Sequence, residues 1–310
     1  MGNMLCQVPA MEGDVESRQS AHFRAAALSV QGKRISNEDQ HLILCNFPIG
    51  EYTAGLFAVL DGHGGPMVAI LAAKQLANNL LREAGEWSTP AERASSVERA
   101  FVQMDVEFSQ KQLAVNCGST CVLAVVWRDE KSWHALFANI GDSRGILMRT
   151  DKGEILGETV DHKPNFPTES DRIHDAGGRV TGGGFAGPAR VDGDLSTSRA
   201  FGDFRLKRDC SRSLSEQKVS PLPDVFEFDC AIGDVVVLAC DGAFDVLSSK
   251  EVTSIVSAEI NHPNLSTGDP ESAVQNVVQR SLRCGSRDNV TCVVAQIVDG
   301  EEMCNELTAL

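Results

Sequence analysis

The chain has 310 residues, 42% hydrophobic and 23% charged, with a formal net charge of −15. That is enough apolar material for one large domain or two small ones. The acidic balance repels a polyphosphate backbone, which argues against general nucleic-acid binding. No stretch approaches the ~20 apolar residues of a membrane span. Ten cysteines include no Cys-x-x-Cys pair, and Cys121, Cys240 and Cys292 lie in apolar runs. Reduced, buried thiols of a cytoplasmic protein are therefore expected, rather than zinc ligands or a catalytic thiol.

In chain order, residues 1–20 show no apolar periodicity and read as a flexible tail, with the folded part starting at Phe23. Gly2 follows the initiator Met, as N-myristoylation requires. Cys6 stands where that motif has Ser or Thr, and is itself a palmitoylation candidate. One acyl chain binds a membrane marginally and two anchor stably. The tail thus reads either as a peripheral membrane anchor or as an unmodified extension.

Short apolar runs bounded by turn residues predict strands over Phe23–Val30, His41–Cys45, Gly55–Leu60, Ser119–Trp127, Trp133–Asn139, Gly145–Arg149, Val235–Cys240 and Val290–Val298. Three- and four-residue apolar spacing predicts helices over Met67–Glu83 and Ala91–Leu113. A shorter helix, Glu169–Ala176, stops at Gly177-Gly178. Two more fall near Lys250–Glu259 and Glu271–Arg283. Strand groups interrupted by paired helices predict an α+β fold with antiparallel sheets. Thr181–Ala189, rich in Gly, and Arg205–Ser220, polar and charged, read as long surface loops.

Aspartates fall where these runs end. Gly55–Leu60 leads into Asp61-Gly62-His63, and Val235–Cys240 leads into Asp241-Gly242 with Asp245 beyond. Ser286-Arg287-Asp288-Asn289 precedes a strand, and Gly141-Asp142-Ser143-Arg144 lies between two. Asp-Gly is a common turn pair, so each site alone reads as structural. Ionised carboxylates at the ends of several buried strands are costly unless a cation compensates them. Oxygen ligands without paired cysteines favour Mg²⁺ or Mn²⁺ over zinc. Two such ions can acidify a water and orient it toward phosphorus, with an Arg as a fork for the phosphoryl oxygens.

Taken together and in order, the motifs resemble those of the metal-dependent type 2C Ser/Thr protein phosphatases. They run from Gly32-Lys-Arg34-Ile-Ser-Asn-Glu38-Asp39 through Asp61-Gly62-His63-Gly64-Gly65, Gly118-Ser-Thr and Asn139-Ile-Gly141-Asp142-Ser143-Arg144. Asp161-His162-Lys163-Pro164, the segment Arg172 to Gly178, Arg190–Leu195 and Ser198-Arg199-Ala200-Phe201-Gly202-Asp203 follow. Asp241-Gly242 to Val246 and Ser286–Asn289 close the series.

The resemblance implies a four-layer α-β-β-α sandwich over residues 23–298, two central antiparallel sheets flanked by helix pairs. It also implies a flap at about 164–187 and a C-terminal tail from 299. By motif position Asp61 bridges two core ions, the Gly62 carbonyl binds one, and Asp241 and Asp288 complete the other shell. Glu38 and Asp39 act through waters. Asp142 and Asp245, with Asp241, match a weaker third site. Arg34 grips the substrate phosphate and His63 protonates the departing oxygen. The implied reaction is signalling-type hydrolysis of phosphoserine and phosphothreonine in phosphorylated proteins, by direct attack of a water or hydroxide held between the ions.

Two departures stand out: a flap unusually rich in Gly at Gly182–Gly187, and Phe244 where many members have Trp. A pseudophosphatase, a binding module on the same fold, is the alternative; such proteins usually lack ligand carboxylates, and here all are present. A two-metal nuclease or phosphodiesterase is a further reading, against which the acidic composition counts.

Overall fold

The computed structural model describes residues 13–110, 115–184, 187–261 and 269–300. Gly2 and Cys6 lie outside the described residues. Among the described residues no helix is long and apolar enough to cross a membrane.

Eleven strands build the two main sheets: β1 (Glu16–Gln19), β2 (Phe23–Val30), β3 (Gln40–Ile49), β4 (Tyr52–Leu60), β5 (Cys121–Arg128), β6 (Trp133–Ile140), β7 (Arg144–Arg149), β8 (Glu154–Glu158), β9 (Asp224–Cys230), β10 (Val235–Ala239) and β11 (Val290–Ile297). One sheet runs β1-β2-β11-β10-β7-β8 and the other β9-β6-β5-β4-β3. Every pairing is antiparallel. The longer helices are α1 (Met67–Glu83), α2 (Pro90–Ser109), α3 (Pro167–Asp175), α4 (Ser249–Ile260) and α5 (Pro270–Arg283).

Strand alternation divides the apolar side chains among separate cores. Phe57 and Val59 of β4 meet Phe23, Val236, Leu238 and Val293 between the sheets. Leu56, Ala58 and Leu60 turn the other way, onto Leu76, Phe101 and Met104 of α1 and α2. In the second sheet Ala26, Leu28 and Val294 turn outward onto Val252, Val256, Val274 and Val278 of α4 and α5. The order is therefore helix pair, sheet, sheet, helix pair, as the resemblance implies. Helix starts are set locally. Thr89 and Glu92 cap each other's backbone at α2, and Ser248 and Glu251 do so at α4, worth about 1 kcal/mol per cap.

Several expectations need correction. Glu16–Gln19, read as part of a flexible tail, pairs with Arg24–Ala27 as an edge strand. β8 and β9 were not expected at all, and both are edges. β3 continues past Cys45 through a bulge between Leu44 and Phe47; Pro48 is tolerated there because β3 is an edge. The run Ser119–Trp127 breaks at Thr120, and Gly118–Ser119 instead pairs with Gly62–His63 and with Phe201–Gly202. The loop 205–220 is not purely superficial, since Leu206 and Val219 pack with Ile173, Val191 and Leu195 in a small separate core.

Candidate active site

Strand register gathers the aspartates. β3 starts at Gln40 opposite the end of β4 at Leu60, and β6 ends at Ile140 opposite the start of β5. β10 ends at Ala239 opposite Arg144 and Cys292. The strand ends carrying Asp39, Asp61, Asp142, Asp241 and Asp288 therefore share one end of the sandwich. A cavity of about 420 Å³ opens there, lined by Arg34, Glu38, Asp61, Gly62, His63, Asp142, Asp241 and Asp288. A neighbouring cavity of about 410 Å³ extends it to Lys163, Asp245, Gly183, Gly187 and Arg190. Every site residue expected within the described chain reaches one of these cavities except Asp39, which is buried behind them.

Backbone clamps hold the acids. Thr120 N–H donates to the Asp61 carbonyl at 2.9 Å, and Asp61 N–H donates to Thr120 Oγ1 at 3.1 Å. Thr120 Oγ1 also bonds Ser143 Oγ at 2.8 Å, tying Gly118-Ser-Thr to the Asp142 turn. Asn289 accepts from Glu38 N–H and donates to Gln31 and Ser36 carbonyls, which fixes the turn bearing Arg34. Arg34 pairs with Asp288 while keeping 60% of its side chain exposed. Glu38 accepts from Gly65 N–H.

The site is short of positive charge. Asp61 is pushed well above the ordinary carboxylate range by burial, then by Asp241, Asp39 and Asp142. Asp241 is pushed up likewise by burial, then by Asp142, Asp245 and Asp288. Burial lifts Asp39 to about 6 against a 2.6 Å bond from Thr291 Oγ1, and its other oxygen is buried without a partner among the described residues. Lys163 Nζ lies 2.6 Å from Asp142 and 3.9 Å from Asp245, so an ammonium spans the pair expected to hold a third ion.

This arrangement fits hard divalent cations. Among the described residues no three His, Cys, Asp or Glu side chains close around one point. An ion that keeps several waters and binds through one or two carboxylates needs no such group. The charge deficit and the unpartnered Asp39 oxygen are what such ions would relieve.

Beside the basin, His63 Nε2 lies 2.6 Å from Asp203 Oδ2. Burial would lower the His63 pKa, but Asp203 outweighs it and the net direction is upward. Asp203 appeared in the sequence only as the last letter of a motif, with no role. Arg144 makes a two-pronged bond to Asp161 at 2.9 and 3.0 Å and lies 4.7 Å from the centre of the Phe244 ring. Phe at position 244 thus still supplies an aromatic face for the guanidinium.

An acidic basin with a guanidinium at its mouth and an imidazole beside it fits a metal-dependent phosphomonoester hydrolase. Comparison with known proteins agrees. The family model for Protein phosphatase 2C matches residues 23–290. Protein phosphatase 1A of Homo sapiens is 33% identical over 297 residues, covering 92% of this chain and 74% of the relative. Protein phosphatase 1B of Mus musculus is 34% identical over 287 residues, covering 88% and 70%. A solved phosphatase from a pathogenic strain of Toxoplasma gondii has a TM-score of 0.80 at 26% identity, covering 93% of this chain and 96% of that one. The chain belongs to the protein phosphatase 2C family and is a metal-dependent serine/threonine protein phosphatase. Nothing in the site favours a binding module that has lost its ligands.

Proposed function

We propose that the basin around Asp61 removes phosphate from phosphoserine and phosphothreonine in protein substrates, with two core Mg²⁺ or Mn²⁺ ions and a weaker third position at Asp142 and Asp245. The observation that carries this reading is one cavity lined by Arg34, His63, Asp61, Asp241 and Asp288 together. Asp61, the Gly62 carbonyl, Asp241 and Asp288 would hold the core ions directly, with Glu38 and Asp39 acting through waters. When bound, the ions would supply charge neutralisation and an acidified water. Arg34, largely exposed at the mouth, is suited to place its planar fork on the phosphoryl oxygens. His63 is suited to protonate the departing oxygen, since an alkoxide is a poor leaving group.

In this reading the catalytic unit runs from the edge strand at Glu16 to residue 298, and 164–187 is its flap. Gly2 and Cys6 give the sequence basis for an acylated, peripherally membrane-associated form of a cytoplasmic enzyme. The intact mass of protein made in a eukaryotic host would carry the acyl increments; an unmodified mass removes that form.

The activity is tested on a panel of phosphothreonine and phosphoserine peptides. Phosphate release should require Mg²⁺ or Mn²⁺, stop with EDTA, and fall sharply in Asp61→Asn. No release with either metal across the panel would overturn the reading, and cleavage of nucleic acid instead would favour a phosphodiesterase.

A further inference from the structure

We propose that Asp203 is a positioning residue for proton transfer: its carboxylate holds the Nε2–H of His63, so the proton given to the departing serine or threonine oxygen is the one on Nδ1. The inference rests on the reading of His63 as the general acid and names what orients it.

The chemistry of the contact sets the tautomer. A carboxylate only accepts hydrogen bonds, so at 2.6 Å Nε2 must carry the hydrogen. Nδ1 is then the nitrogen free to exchange a proton with a substrate. The same logic applies wherever a buried carboxylate orients an imidazole.

The fold works to keep Asp203 in place. Its backbone is left-handed, at φ 52°, a conformation uncommon outside glycine that Asp is among the few residues to tolerate. Its side chain is fully buried. The turn is pinned by Asp203 N–H donating to the Cys117 carbonyl at 3.0 Å and by Gly202 N–H donating to Asp105 Oδ1 at 2.7 Å. Asp105 is in turn paired with Lys207 at 2.8 Å, both fully buried.

The small sheet then brings the two partners together. His63 and Gly202 both lie opposite Gly118. A Cβ on Gly118 would collide with Asp203 Oδ2 and come within 2.6 Å of His63 Nε2. The missing side chain at Gly118 is the space through which the bond passes. A carboxylate buried purely for structure would engage donors with both oxygens. Asp203 engages His63 with Oδ2, while Oδ1 has no partner among the described residues.

The test compares leaving groups in the same metal buffer. A phosphothreonine peptide expels an alkoxide and needs the proton; p-nitrophenyl phosphate expels a stabilised phenolate and needs it far less. Asn is nearly isosteric and tolerates left-handed backbone. Asp203→Asn should lower kcat on the peptide about 100-fold, with KM little changed and a much smaller loss on the aryl ester. In a His63→Gln background it should add no further loss on the peptide. If Asp203→Asn does not fold, 15N NMR of the His63 ring in the wild-type protein serves instead: the neutral imidazole should carry its hydrogen on Nε2, and a hydrogen on Nδ1 alone would overturn the proposal. Equal losses on both substrates, wild-type kcat on the peptide, or full additivity with His63→Gln would overturn the proposal. If His63→Gln itself shows no leaving-group selectivity, the general-acid reading fails first and this one with it.

Discussion

Lys207 and Asp105 expose no side-chain surface, and their 2.8 Å ion pair lies beneath the turn that carries Asp203. Lys207 Nζ also donates to the Ala200 carbonyl, and Asp105 accepts from Gly202 N–H. Burial pushes the Asp105 carboxyl up and Lys207 pulls it back, with a net upward direction. Lys207→Met keeps the stem and removes the charge, leaving Asp105 buried with one backbone donor. Removing one partner of a buried pair costs about 3–5 kcal/mol, a large part of the ~5–15 kcal/mol that holds a typical domain. Asp105→Leu should cost a similar amount, since it strands the ammonium and orphans Gly202 N–H. The double variant removes both charges and should be more stable than the sum of the single losses by about 2 kcal/mol or more. Urea melts at neutral pH, extrapolated linearly, read all three. Additive losses, or a Lys207→Met loss below about 1 kcal/mol as for an exposed pair, would refute the reasoning. Folded Lys207→Met should also lose selectively on phosphothreonine peptides, because the slackened turn carries Asp203.

Two further outcomes follow from the charge pattern. Glu169 accepts from Arg199, Arg172 and Ser198; burial opposes its ionisation, yet these partners bring it from an ordinary 4.5 to about 2. Arg199 moves up and Arg172 down, but both guanidiniums stay charged, so the carboxylate's direction governs. Its stabilisation is complete above pH 4.5 and lost as pH falls toward 2, about 3 kcal/mol in all. Glu169→Gln should flatten the urea midpoint over that window and lower it at pH 7; an unchanged acid limb refutes this. Arg34→Ala should raise KM for a phosphopeptide about 10-fold or more, with a smaller effect on kcat; an untouched KM would remove Arg34 from phosphate binding.

The central strands were legible nearly to the residue because they are buried on both faces. Val235–Ala239 is buried throughout, and its unbroken apolar run says so. The strands of the two main sheets that carry no clear sequence signal are edges, whose sequences must discourage further pairing. β1 is Glu-Ser-Arg-Gln, β8 begins and ends in Glu, and β9 carries Asp224, Glu227 and Asp229. The Asp-Gly pairs read as turns for a reason the structure replaces. A Cβ on Gly62 would strike the Glu38 carbonyl, and one on Gly242 the Asn289 carbonyl. These glycines let the chain after Asp61 and Asp241 press against the segments leading into β3 and β11. That close approach joins residues far apart in sequence, so no local spacing reports it.

The same contrast separates what was readable in the site from what was not. A charge at the end of a buried run is an anomaly visible within a few residues, because nothing local compensates it. Asp61, Asp241 and Asp288 were found that way. Asp105 and Glu169 are charges paired within the fold and Asp203 is engaged through one oxygen; Lys207, Arg199 and His63 lie 102, 30 and 140 residues from them, and only Arg172 of the charged partners is a near neighbour in sequence. A satisfied pair leaves no local imbalance, so it stays silent until the chain is folded. Asp61 and Asp241, pushed up by burial and by neighbouring acids, mark where the basin is short of positive charge, while the paired acids mark what holds the surrounding turns still. His63 belongs to both sets: its neighbours Asp61 and Gly62 are legible as part of the basin, while its Nε2 contact with Asp203 exists only in the folded chain.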